Sequence, residues 1–179
     1  FFNTTEALYK ADPTPVSAML MGKMNIENEA YTEASQYYLD AVDMIDDPLE
    51  KSDIYSDLGK IYYNLNDYIK ARSYARKAIE LNPADGKSYI LIGDLYVASA
   101  DRCGDNDLTK KVAYWAAVDK YYQAKKADSE LTELANKRIS SYSKHFPQMD
   151  VIFFHDLQEG SAFKVECWIN ETTTVRAAK

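Results

Sequence analysis

The chain has 179 residues, 46% of them hydrophobic, enough apolar content for a substantial buried core. Lys and Arg total 21 against 28 Asp and Glu, a net charge of −7, and no basic stretch is long enough to follow a phosphate backbone, which argues against nucleic acid as a partner. Six Gly, five Pro and long stretches of Ala, Leu, Tyr, Lys and Glu predict a mainly α protein, and no apolar run approaches the roughly 20 residues that span a bilayer.

The chain opens on "FFNTTEALYK", without Met and without a charged segment leading into an apolar one. It is read as processed or as a fragment whose native N-terminus is missing, and its compartment, cell envelope and periplasm or cytoplasm, stays open. Within residues 1–14, "EALYKADPTP" predicts the last turns of a helix, because Ala7 and Pro13 echo a pattern found further on. That pattern is clearest in "DLGKIYYNLNDYIKARSYARKAIELNP", residues 57–83, where apolar and small residues recur at helical spacing on both sides of a polar break.

The small residues return in order along the chain: Gly22, Gly59, Gly93; Ala34, Ala71, Ala117; Ala41, Ala78, Ala124. The first step is 37 residues in each series; the second is 34 for glycine and 46 for both alanine series, so one insertion of 12 residues explains both shifts. Units of this length that cannot bury their own apolar face stack on their neighbours. Gly59 and Ala71 are expected where paired helices cross and only small side chains let the backbones close, and Pro83 ends the second helix because it lacks a backbone donor.

Tyr55-x-x-Leu58-Gly59-x-x-Tyr62, followed by Asn66-Asp67-Tyr68, Ala71, Ala78 and Pro83, resembles the tetratricopeptide repeat. Tyr stands for the family's Trp, and Ala75, with Tyr74 beside it, holds the place of a large aromatic. The resemblance implies a right-handed superhelical solenoid of helix-turn-helix pairs: residues 15–51 a first repeat, 52–85 a second, 86–128 a third carrying the insertion. Residues 1–14 would end a truncated upstream repeat. Residues 129–147 read as a capping helix with Leu131, Leu134, Ala135, Ile139 and Tyr142 on one face.

In the tail, residues 148–179, "VIFFH" and "FKVECWI" flank "DLQEGSA" and predict a β-hairpin with Phe163, Val165, Cys167 and Ile169 on one face, docked on the last helices. The "CGDN" insert, "YWAAVDKYYQAKKAD" and "CWINETTTVR" are together similar to a bacterial subgroup of the family. Cys103 and Cys167 fit neither a disulfide framework nor a metal-ligand spacing. Asp101, Asp105 and Asp107 do not meet the EF-hand spacing and predict a solvated acidic loop, while Trp115 is expected to pack. Asn3-Thr4-Thr5 and Asn170-Glu171-Thr172 match the glycosylation sequon.

For catalysis the chain offers only His145, read as a charge or cap at a helix C-terminus, and His155, read as a solvent-facing neighbour of a turn. There is no nucleophile arrangement, no zinc-protease motif and no phosphate loop, so neither an enzyme, a metal nor a cofactor is expected. The resemblance implies a protein-binding scaffold that takes a partner peptide or helix in its concave groove, or a structural or accessory module of a larger cell-envelope or enzyme assembly. Its concave places fall on Met19, Lys23 and Ile26; on Asp53, Ser56, Lys60, Tyr63 and Asn64; and on Lys87, Ile90, Asp94 and Val97. Relatives that clamp a peptide carboxylate use two Lys, two Asn and one Arg. Those places are here Met19, Lys23, Asp57, Lys87 and Leu91, of which only Lys87 matches.

Overall fold

The computed structural model describes residues 2–179, with side chains from residue 4 onward. The fold is mostly helical with one small antiparallel sheet, as the sequence predicts. It divides into two compact bodies, residues 1–88 and 89–179, described separately below.

In the N-terminal body, α1 (Phe2–Ala11), α2 (Pro15–Glu27), α3 (Tyr31–Asp43), α4 (Pro48–Asn64) and α5 (Tyr68–Leu81) each pack on the next in sequence. Start signals are written into the chain. The Thr14 hydroxyl accepts from the Ser17 amide while Ser17 accepts from that of Thr14, with Pro15 in the first turn. The Asp47 carboxylate accepts from the amides of Leu49 and Glu50, and Asp67 accepts from that of Lys70. Both two-helix turns are closed by a residue in the left-handed region, Glu29 (φ 58) and Asn66 (φ 58). Ala18, Ala34, Ala41, Ala71, Ala75 and Ala78 are fully buried beside Met21, Tyr38, Ile54, Leu58 and Ile61. Ser52 crosses from α4 to donate to the Ala78 carbonyl at 2.9 Å.

The division between the bodies falls within α6 (Gly86–Ser99). The C-terminal body is built on α7 (Val112–Ala127), whose Trp115, Ala116, Ala117, Val118 and Tyr121 are all buried. Against α7 pack α8 (Thr132–Ser143) and the sheet of β1 (Ala162–Val165) and β2 (Glu171–Thr174), paired antiparallel from Ala162↔Thr174 to Val165↔Glu171. On α8 only Ala135 of the expected stripe is buried, and Leu134 points to solvent.

The tail departs from expectation. "VIFFH" is not a strand but lies in the helix α9 (Met149–Phe154) and its C-cap His155, starting after Pro147 and burying Ile152 alone. β1's partner is instead the threonine run of β2, whose β-branched side chains suit a pleated surface and whose alternation buries Thr173, with Val175 buried beyond it. Phe163 and Val165 do share a face, but Cys167 leaves the strand in a left-handed turn (φ 53) and is exposed. The hairpin docks on α7: Trp115 Nε1 donates to the Arg176 carbonyl at 2.7 Å, Arg176 meets Asp119 at 2.8 Å, and Lys120 meets Glu171 at 2.8 Å. Trp115 packs, edge to face with Phe163.

The cysteine reading is overturned as well. Cys103 and Cys167 form a disulfide, Cα–Cα 5.5 Å, across a sequence separation of 64. Spacing along the chain cannot reveal a pair that only tertiary packing brings together. The bond ties the insert to the β1–β2 turn. Asp101, Asp105 and Asp107 are exposed, as expected, yet the loop is anchored by Leu108, which is buried. A Cβ on Gly104 would lie 2.2 Å from the Thr109 carbonyl carbon, so only glycine fits there. His145 lies just past the C-cap of α8, and its ring also stacks on Tyr114 at 5.0 Å.

Candidate partner-binding surface

α4 presents five of the twelve expected concave places, more than any other helix, because an unbroken run from Pro48 to Asn64 turns one side to the core and another to solvent. Leu58, Gly59, Ile61 and Tyr62 are buried, while Asp53, Lys60 and Asn64 are exposed and Tyr63 is half-buried. Lys60 Nζ lies 3.1 Å from Asp57 Oδ1, a surface pair that a partner's charge can replace at small cost. Asn64 donates to the Lys60 carbonyl at the helix end. The Tyr63 ring stacks on Tyr68 of α5, 5.7 Å between centroids and 17° between planes, which holds it in place.

Elsewhere in the N-terminal body Lys23 and Lys87 are exposed and Met19 and Ile26 half-buried. Ser56 is buried, its hydroxyl 3.2 Å from that of Ser88, so it shapes the body without meeting a partner. In the C-terminal body Ile90 is buried and Val97 half-buried. Asp94 is occupied: it accepts from the Tyr121 hydroxyl at 2.7 Å and faces the Arg138 guanidinium, Nε at 3.2 Å. Burial holds its carboxyl above the ordinary value, an effect that those two partners offset only in part.

One feature of this body of helices was not legible from the motif. With Ala75 at the aromatic place, Tyr74 moves outward and stacks between Tyr62 (5.2 Å) and Tyr55 (6.0 Å), with Lys77 over Tyr55 and Tyr74 and Lys70 over Tyr62. Burial raises the Tyr74 hydroxyl above its ordinary value, and the neighbouring tyrosines add to the shift. The adjacent Tyr74-Ala75 pair was the available signal.

The family model for the tetratricopeptide repeat matches residues 52–85. Photosystem I assembly protein Ycf3 of Cyanophora paradoxa is 28% identical over 115 residues, which is 56% of this chain and 66% of that protein, just under two thirds of its length. Among solved structures, MamA aligns over 80% of this chain and 84% of its own with a TM-score of 0.51 at 18% identity, a likeness of fold. The repeat match and the motif residues that carry it, set in a helical fold, show that the chain contains a tetratricopeptide repeat at residues 52–85.

Proposed function

We propose that the chain is a non-enzymatic scaffold that holds a partner protein by a peptide or helix laid against the exposed face of α4. The observation that supports this reading most is the state of α4 itself. Its inner side is fully used in the core, while Asp53, Lys60, Tyr63 and Asn64 offer both charge signs, an amide and a fixed aromatic ring. A surface of that kind suits a segment with an apolar stripe and scattered charges. Aromatic residues near the centre of an interface commonly carry about 2 kcal/mol or more, which makes Tyr63 the anchor.

Partner capture with the wild type and with a Tyr63→Ala, Lys60→Glu double variant, both shown folded by circular dichroism, tests the reading. Loss of the partner from the variant is expected; equal recovery from the two would remove this face. A second reading, a module of a cell-envelope assembly, is favoured by the Cys103–Cys167 bond, since disulfides persist in oxidising compartments and are rare in the cytosol. It is also in keeping with the assembly role in the name of the Cyanophora relative.

A further inference from the structure

α9 exposes its apolar residues instead of burying them. Phe153 and Phe154 are each 81% exposed and Met149 is 52% exposed, while Ile152 alone anchors the helix. Two phenylalanines so displayed present on the order of 300 Å² of aromatic surface, comparable with the largest apolar patch on many monomers, and such patches mark interaction sites. Beside them, within the C-terminal body, is an open cleft of about 500 Å³ between the insert and α9, lined by Asn106, Asp107, Asp150, Val151, Phe154 and His155. The insert's own cations, Arg102, Lys110 and Lys111, do not line it. The Asp107 carboxylate has no partner among the described residues.

The wall opposite α9 is pre-set. The Asn106 carboxamide oxygen accepts from the amides of Leu108 and Thr109, and the Thr109 hydroxyl accepts from those of Asp105 and Asn106. Leu108 is buried beneath it and the Cys103–Cys167 disulfide ties it down. A wall ordered before binding spares the entropy of ordering it afterwards.

We propose that this cleft is a second docking site, for a partner segment that carries a Lys or Arg next to a large apolar residue. The apolar side chain packs on Phe153 and Phe154, and the cation reaches Asp107 and Asp150. Charge selects this occupant. An anionic lipid surface is repelled by the two aspartates beside Phe154, and a second copy of this chain brings a net charge of −7 to an acidic cleft. This site is distinct from the α4 face and stands or falls independently of it.

The test is selection of a phage-displayed random peptide library on the wild-type protein, followed by fluorescence anisotropy with the enriched peptide. The peptide is titrated against wild type, Phe153→Ser with Phe154→Ser, and Asp107→Asn with Asp150→Asn. All four side chains are exposed, so both variants are expected to melt with the wild type. The expected result is a shared basic–apolar motif, affinity about tenfold weaker in each variant, and weakening with added salt. No shared motif, an acidic motif, or unchanged affinity in either variant would overturn the proposal. So would concentration-dependent dimerisation in sedimentation, or flotation with phosphatidylcholine vesicles, that the phenylalanine substitutions abolish.

Discussion

A Cβ added to Gly22 would lie 2.5 Å from two ring carbons of Tyr38, and one added to Gly93 would lie 2.5 Å from Tyr121 Cε1. Both rings are almost fully buried and cannot swing away. The small residue is therefore required by an aromatic side chain of the paired helix lying across it, a sharper reason than close backbone approach alone. Gly22→Ala and Gly93→Ala are each expected to cost about 1–3 kcal/mol in chemical denaturation, and unchanged midpoints would contradict this packing. The buried tyrosines also set a limit in alkali. Burial, with the Asp57 charge adding to it, pushes the Tyr38 hydroxyl up to about 12, and burial and Asp94 raise Tyr121. An unfolded chain ionises these groups near 10.0, so their neutral forms contribute fully below that pH, and the contribution is lost as pH rises toward 12. Melting temperature is expected to fall over this window together with the appearance of phenolate absorbance. Full titration of every tyrosine near its ordinary value with no change in melting would show that the rings are not enclosed.

Among the elements, the insert and the β1–β2 turn act as a pair because Cys103–Cys167 joins them. Closing a separation of 64 residues removes loop entropy from the unfolded chain, worth about 4 kcal/mol in the simplest treatment and typically about 2–4 kcal/mol in practice. Replacing both cysteines with serine is expected to lower the unfolding free energy by about that amount and to expose the 99–111 segment to limited proteolysis. Equal stability and equal protease resistance would mean that Leu108 and the loop's own hydrogen bonds suffice. The hairpin has further support from α7, where Arg176 satisfies both Asp119 and the Trp115 carbonyl, so a short sheet that would be marginal alone is held by polar contacts to a buried helix.

For the molecule as a whole, the balance of charge and the filling of the repeat places decide which partners are excluded. At the five places where carboxylate-clamping relatives carry cations and amides, this chain has Met19, Lys23, Asp57, Lys87 and Leu91. Asp57 is paired with Lys60, and Leu91 is buried. An acidic C-terminal peptide would meet one matching side chain on a protein of net charge −7. Calorimetry with such a peptide is expected to give no binding; a micromolar dissociation constant would contradict this.

Much of the helical fold was legible because the information is local. Gly and Ala at fixed intervals and the Asn66-Asp67-Tyr68 turn act within a few residues of themselves, and the structure puts helix pairs around them; Pro15 and Pro48 in first turns and Asp47 as a cap are local signals of the same kind, seen once the helices are in place. The places on the α4 face came from the resemblance to the repeat, and the structure leaves Asp53, Lys60 and Asn64 among them exposed. What only tertiary structure decided lies where distant segments meet. Four apolar residues at 151–154 read equally as strand or helix until the partner of β1 is known, and that partner is a threonine run with no apolar signature. Ser56 and Asp94 look like surface residues by register, but neighbours from other elements bury the one and occupy the other. The disulfide depends on a separation in space that a separation of 64 in sequence does not encode. Periodicity specifies which side of an element is apolar; which neighbour covers that side is settled by packing.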